Sequence, residues 1–180
     1  MLVSYFVLTA PPPHPGQPPL DGIQLRRERP ANDVYLDLYR AIGGPLGWDL
    51  RTAMRPDDLR AFLDAPTSAL FVLRRQRDAV GLCEFDGIGQ DEVELVHFGI
   101  VAALRGRGLG RWFLAMALNR IWRHAPGHVW LHTDAQDSPA AVPLYTSLGF
   151  RLEGQREEPL DRIGLLPPPW RDPLRSARTG

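Results

Sequence analysis

Lysine is absent from this chain: all 21 of its basic side chains are arginine, and 21 carboxylates balance them to a formal charge of zero. A neutral chain sets up no long-range field that gathers nucleic acid or an anionic membrane, so neither is expected as a partner. Cysteine is nearly absent as well. Cys83 stands alone, which excludes an internal disulfide, and its place in the apolar run 80–85 makes it a buried thiol rather than a nucleophile. A cytoplasmic location is the expectation. No apolar run approaches membrane-spanning length. The apolar opening 1–10 has no basic residues ahead of it and runs into Pro11-Pro12-Pro13, so it reads as an edge strand over Leu2 to Thr9 rather than a leader.

What the chain does have is enough apolar content for a core. At 180 residues and 44% hydrophobic it is long enough for one sizeable domain and short for two, so residues 1–180 are expected to form one domain. Within it, 1–22 holds the first strand and a proline-rich connection, and 156–180 is a proline- and arginine-rich tail. Ile23 to Arg27 is a strand or a lead-in. Asn32 and Asp33 can cap a helix that runs through Ala41 to the stop Gly43-Gly44-Pro45, and Pro56, Asp57 and Asp58 open a second helix that ends before Pro66. Ala69 to Leu73, Val80 to Phe85 and Glu92 to Val101 read as an antiparallel meander. An amphipathic helix follows over Leu109 to Trp122, then a strand at His128 to His132, a helix over Ser138 to Leu148 and a last strand from Phe150 to Gly154. There is no internal repeat.

The junction between the third meander strand and its helix reads Arg105-Gly106-Arg107-Gly108-Leu109-Gly110. Alternating glycines let backbone N–H groups turn toward a ligand, and the helix aims the positive end of its dipole at the same point, so the expected ligand is an anion. The dinucleotide spacing G-x-G-x-x-G fails because Arg111 stands where its third glycine belongs, and a P-loop fails for want of lysine.

The pattern Arg105-x-x-Gly108-x-Gly110 resembles the pyrophosphate-binding motif of the GNAT superfamily of N-acetyltransferases. Downstream, Ser138, Ala141, Leu144, Tyr145, Gly149 and Phe150 resemble that family's N-x-x-A-x-x-L-Y-x-x-x-G-F segment, with serine at the asparagine position and Pro143 inside the helix. The resemblance covers about residues 20–155. It implies an α/β (α+β) fold with a mixed, mainly antiparallel sheet of six to seven strands, helices on both faces and a V-shaped split that holds acetyl-CoA as co-substrate. It also implies transfer of the acetyl group to a primary amine of a small molecule by direct attack in a ternary complex. A non-catalytic acyl-CoA-binding sensor and a protein N-terminal acetyltransferase are the alternatives.

Under this resemblance the cofactor contacts are Phe98, Ile100, Val101, Arg105, Gly106, Arg107, Gly108, Leu109, Gly110, Arg111 and Ser138, with a bulge expected near Gly99. Tyr145 protonates the departing thiolate. Glu94 is the first candidate for general base, since strand alternation puts Glu92, Glu94, Val96 and Phe98 on one face. If the hairpin closes symmetrically about Gly89, Glu84 lies opposite Glu94, and the two carboxylates raise the pKa of one. His97 points to the other face unless a bulge re-aims it. Trp48 and Arg51 are the candidate acceptor contacts. His132 and Asp134 lack a third partner at ligand spacing, so no metal is expected. A monomer or homodimer fits the composition, and the acceptor amine is not named by any motif.

Overall fold

The computed structural model describes residues 1–159 and 167–171. In chain order its elements are β1 (Leu2–Leu8), β2 (Ile23–Arg27), α1 (Asn32–Gly43), α2 (Pro56–Asp64), β3 (Ala69–Arg75), β4 (Asp78–Asp86), β5 (Glu92–Ile100), α3 (Leu109–Ile121), β6 (His128–Asp134), α4 (Ala141–Ser147) and β7 (Arg151–Glu157). The strands form one open seven-stranded sheet in the order β2-β3-β4-β5-β6-β1-β7. All ladders are antiparallel except the one between β5 and β6.

Alternation along each strand divides the core into layers, because successive side chains leave opposite faces. Phe71, Leu73, Cys83, Phe85, Val93, Leu95, Val129 and Leu131 face α3, whose Leu109, Phe113, Ala117 and Leu118 cover them; Tyr145, Leu148 and Phe150 close that layer. Leu70, Val72 and Leu82 face the other way, against Tyr35, Leu38, Tyr39 and Ile42 of α1 and Leu59 and Leu63 of α2. Further along this second face Val3, Tyr5 and Trp130 pack with Trp170. Helices therefore lie on both faces, and the second face has a gap between α1 and Trp170.

Three elements differ from their sequence reading. β1 is not an edge strand: it lies between β6 and β7 and pairs with both. Its apolar residues serve two layers, Phe6 and Leu8 on one side and Val3 and Tyr5 on the other, which is the pattern of an internal strand. The first turn of α1 has no side-chain cap; Asn32 Nδ2 instead donates to the Pro56 carbonyl at 2.8 Å and ties α1 to α2. α4 starts at Ala141 rather than Ser138. Pro143 is therefore its third residue, where the N–H would have no helical acceptor in any case. Of the expected tail, Arg156 and Glu157 complete β7, while 160–166 and 172–180 lie outside the described residues.

Candidate active site

A cleft of about 930 Å³ opens where β5 and β6 part. Their parallel ladder holds only through Glu92↔His128, Val93↔Val129 and Glu94↔Trp130. Beyond Glu94 no β6 partner remains, so β5 amides facing away from β4 are open along 95–100.

The floor of the cleft is shaped by a bulge that the sequence reading put in the wrong place. Gly99 pairs regularly with Leu82; the extra residue is Val96, between the pairs Phe85↔Leu95 and Glu84↔His97. One inserted residue reverses the alternation. Phe98 consequently packs on Phe113 in the α3 layer, with ring centroids 5.4 Å apart. His97 joins Glu94 on the α1 face, against Tyr39 and Trp48. What Gly99 provides is close approach: a Cβ there would stand 2.3 Å from Ile42 Cγ2.

The same register overturns the expected pairing of Glu84 with Glu94. The hairpin closes about Gln90, Asp86 faces Glu94, and Glu84 faces His97. Glu84 is 1% exposed. Its Oε1 accepts from Arg51 Nη2 at 2.6 Å and Nε at 3.0 Å and lies 3.1 Å from His97 Nδ1, while Tyr35 donates to its other oxygen. Burial opposes ionisation, but His97 and Arg51 outweigh it and hold the carboxyl down to about 2. Glu84 is thus a charged anchor and is not free to serve as a base. Arg51, expected to meet the acceptor, is spent on that anchor and stacks over Phe62 at 3.8 Å. Trp48 does line the cleft; its ring fills the space beside Gly43, where a Cβ would meet it at 2.1 Å.

Glu94 faces across the split. Its Oε1 is 3.4 Å from His132 Nδ1, at the level where the β5–β6 ladder ends. Burial disfavours the charged imidazole, yet Glu94, with Asp137 and Glu158 further off, raises the His132 pKa above its ordinary value. His132 is braced by Tyr5 and Trp130, ring centroids 6.2 and 6.3 Å away. It is a residue that sequence reasoning weighed only as a metal ligand. Its signal was its place at the end of the strand beside the cleft. Among the described residues no group of three or more His, Cys, Asp or Glu side chains could hold a metal.

At the other end of the cleft the chain leaves β5 through a turn at Ala102–Leu104 and reaches α3 by way of Gly106 and Gly108, both at φ +74° with no atom near the position of a Cβ. Among the described residues the backbone N–H groups from Gly106 through Arg111 have no acceptor; the first helical bond runs from Trp112 to the Gly108 carbonyl. Arg105 is drawn back onto the Ile100 and Ile42 carbonyls at 3.1 and 3.4 Å, and Arg111 reaches Ser147 Oγ at 3.3 Å. Arg107 is exposed. Ser138 and Tyr145 come to the same cleft from the far wall, Ser138 with its Oγ accepting from the Ala140 N–H at 3.4 Å. Tyr145 is 9% exposed, and burial pushes its phenol above the ordinary range, so it stays a proton donor. The open cradle, its unanswered N–H groups and the nearby guanidinium groups fit a diphosphate, and the split strand continues the groove for an extended arm.

Residues 48–160, well over half of the chain, match the family model of the acetyltransferase (GNAT) domain. The chain belongs to the GNAT acetyltransferase family. Solved structures agree on the fold. A GCN5-related N-acetyltransferase from Sphaerobacter thermophilus superposes with a TM-score of 0.60 at 21% identity, over 86% of this chain and 49% of that one. An aminoglycoside acetyltransferase from an uncultured soil metagenomic sample, in complex with trehalose, gives 0.59 at 15% identity, over 72% of this chain and 88% of that one. A GNAT family acetyltransferase from Streptococcus pneumoniae gives 0.54 at 21%, over 72% and 87%. The chain spans about half the length of the Sphaerobacter protein that it matches. Among curated proteins, none matches its sequence. Among the described residues no helix is long and apolar enough to cross a membrane.

Proposed function

We propose that this protein is an acetyl-CoA-dependent N-acetyltransferase that acts on a primary amine of a small molecule, in the cytoplasm, by direct attack within a ternary complex. The observation that carries the reading is the cleft itself: unanswered N–H groups at the start of α3 stand at one end, and the Glu94–His132 pair stands where the strands fork. Acetyl-CoA supplies the activated acyl group. The amides of Gly106, Arg107, Gly108, Leu109, Gly110 and Arg111, with the Arg105 side chain, hold its diphosphate, and Ile100, Val101 and Ser138 align its arm.

An alkyl ammonium titrates near ~10, so the acceptor must lose a proton before it attacks. Glu94 takes that proton, with the His132 ring beside it at 3.4 Å. The Phe98 N–H, on the stretch of β5 without a β6 partner, donates to the acyl oxygen as charge develops there, a contribution of ~3 kcal/mol. Tyr145 gives its proton to the departing sulfur. Trp48 forms the wall that the acceptor meets. The soil aminoglycoside acetyltransferase, which shares the fold, is a precedent for a small polar amine.

Glu94→Gln and Tyr145→Phe are expected to leave acetyl-CoA binding nearly intact in calorimetry while slowing CoA release by roughly 10²-fold or more. Acetyl-CoA binding with no release across a broad amine panel would instead mark an acyl-CoA-binding module.

A further inference from the structure

The cross-strand pair Asp86↔Glu94 is an uncommon arrangement for a sheet. Side chains at directly opposite positions have Cβ atoms about 4.5–5.5 Å apart, and like charges there destabilise the pairing. Both carboxylates line the cleft. Glu94 has a counter-charge in His132 at 3.4 Å. Asp86 has no cationic partner among the described residues: its Oδ1 accepts the Gly87 N–H at 2.8 Å, and no arginine or histidine comes within ion-pair distance. The remaining positive charge at this end does not supply one. Arg51 is saturated by the buried Glu84, and Arg105 and Arg111 are turned to backbone carbonyls and Ser147 at the diphosphate end. Asp49, also on the lining, adds a further negative charge beside the Trp48 ring.

We propose that Asp86 is a specificity residue that binds a second ammonium group of the acceptor, so that this enzyme acetylates diamines or polyamines in preference to monoamines and amino acids. This rests on the N-acetyltransferase reading and adds the substrate class. The geometry supplies both halves of the preference. An acceptor with two nitrogens a short chain apart places one beside Glu94 and the other beside Asp86, and it relieves the repulsion across the β4–β5 ladder. An acceptor with a carboxylate finds no unpaired guanidinium beside Asp86 among the described residues and meets two carboxylates there instead. The Trp48 ring offers a further cation contact at the rim.

The test uses matched three-carbon probes: propylamine, 1,3-diaminopropane and β-alanine. Each is presented to the acetyl-CoA-loaded full chain and read as CoA release and, separately, as thermal stabilisation of the CoA-bound protein. A charge-assisted contact to a second ammonium gives the diamine at least about a tenfold advantage over propylamine, and the advantage shrinks as salt is raised. Asp86→Asn is expected to bring that ratio to within about threefold, with the melting temperature of the ligand-free protein unchanged or raised because a like-charge pair has been removed. Propylamine or β-alanine equalling the diamine in both readouts overturns the proposal, and so does the absence of any response to the diamine. Diamine stabilisation without CoA release would overturn the transferase reading and leave this assignment standing.

Discussion

At Glu84 a single buried carboxylate oxygen meets two nitrogens of the buried Arg51 and the ring of His97, which lines the cleft. Breaking such a buried pair from one side leaves an uncompensated charge, a loss of about 3–5 kcal/mol. Glu84→Gln is therefore expected to lower the unfolding free energy in urea at neutral pH by that amount. The pH dependence has a definite sign. The carboxyl is held down to about 2 from an ordinary 4.5, so its stabilisation is complete above about 4.5 and is lost as pH falls through about 2. Urea titrations across this window should show the variant's acid limb flatter than that of the parent protein. None of this was legible from residue types. Glu84 was expected to meet Glu94 because a symmetric hairpin is the simplest register, and its real partners lie 33 and 13 residues away in sequence. Tyr145 and Glu94 reached the cleft as their motif and strand position implied, since both depend on short-range spacing.

Among the elements, the strand–turn–helix unit of β5 and α3 was readable because it is local: glycines and an amphipathic stripe sit within thirty or so residues of one another. The bulge was not. A glycine in a strand suggests a bulge or a close approach, and Gly99 turned out to be the second while Val96, with no special chemistry, was the first. This predicts that two glycine variants separate stability from binding. Gly99→Ala drives a methyl into Ile42, which is fully buried. Overpacking of this kind costs about 1–3 kcal/mol, seen as a lower urea midpoint. Gly108→Ala meets no neighbouring atom and keeps only the penalty of a left-handed backbone, about 1–2 kcal/mol, among the amides proposed to hold the diphosphate. Calorimetry is expected to show the larger loss of CoA affinity for Gly108→Ala.

On the scale of the whole molecule, the sheet is continuous only because β1 sits inside it. Val3, Tyr5, Phe6 and Leu8 are each less than 5% exposed. Burial of such side chains contributes about 1.5–3 kcal/mol apiece, comparable in sum with the roughly 5–15 kcal/mol that holds an average domain together. A chain starting at residue 10 is expected to lose its cooperative thermal transition in circular dichroism rather than merely shed an edge. The apolar pattern of this segment marks it as a strand; its neighbours could not be read, because nothing in a strand's own composition names a partner more than a hundred residues away.

That placement carries a consequence for how the protein comes into being. More than a hundred residues separate this strand from both of its ladder partners, β6 and β7, so it must stay unpaired while all the chain between them is synthesised. Such long-range closure slows folding and leaves apolar surface open to association in the interim. The split beside β5 is bounded by β6, which pairs with β5 on one side and β1 on the other, so the cleft takes its shape only when that long-range closure has been made.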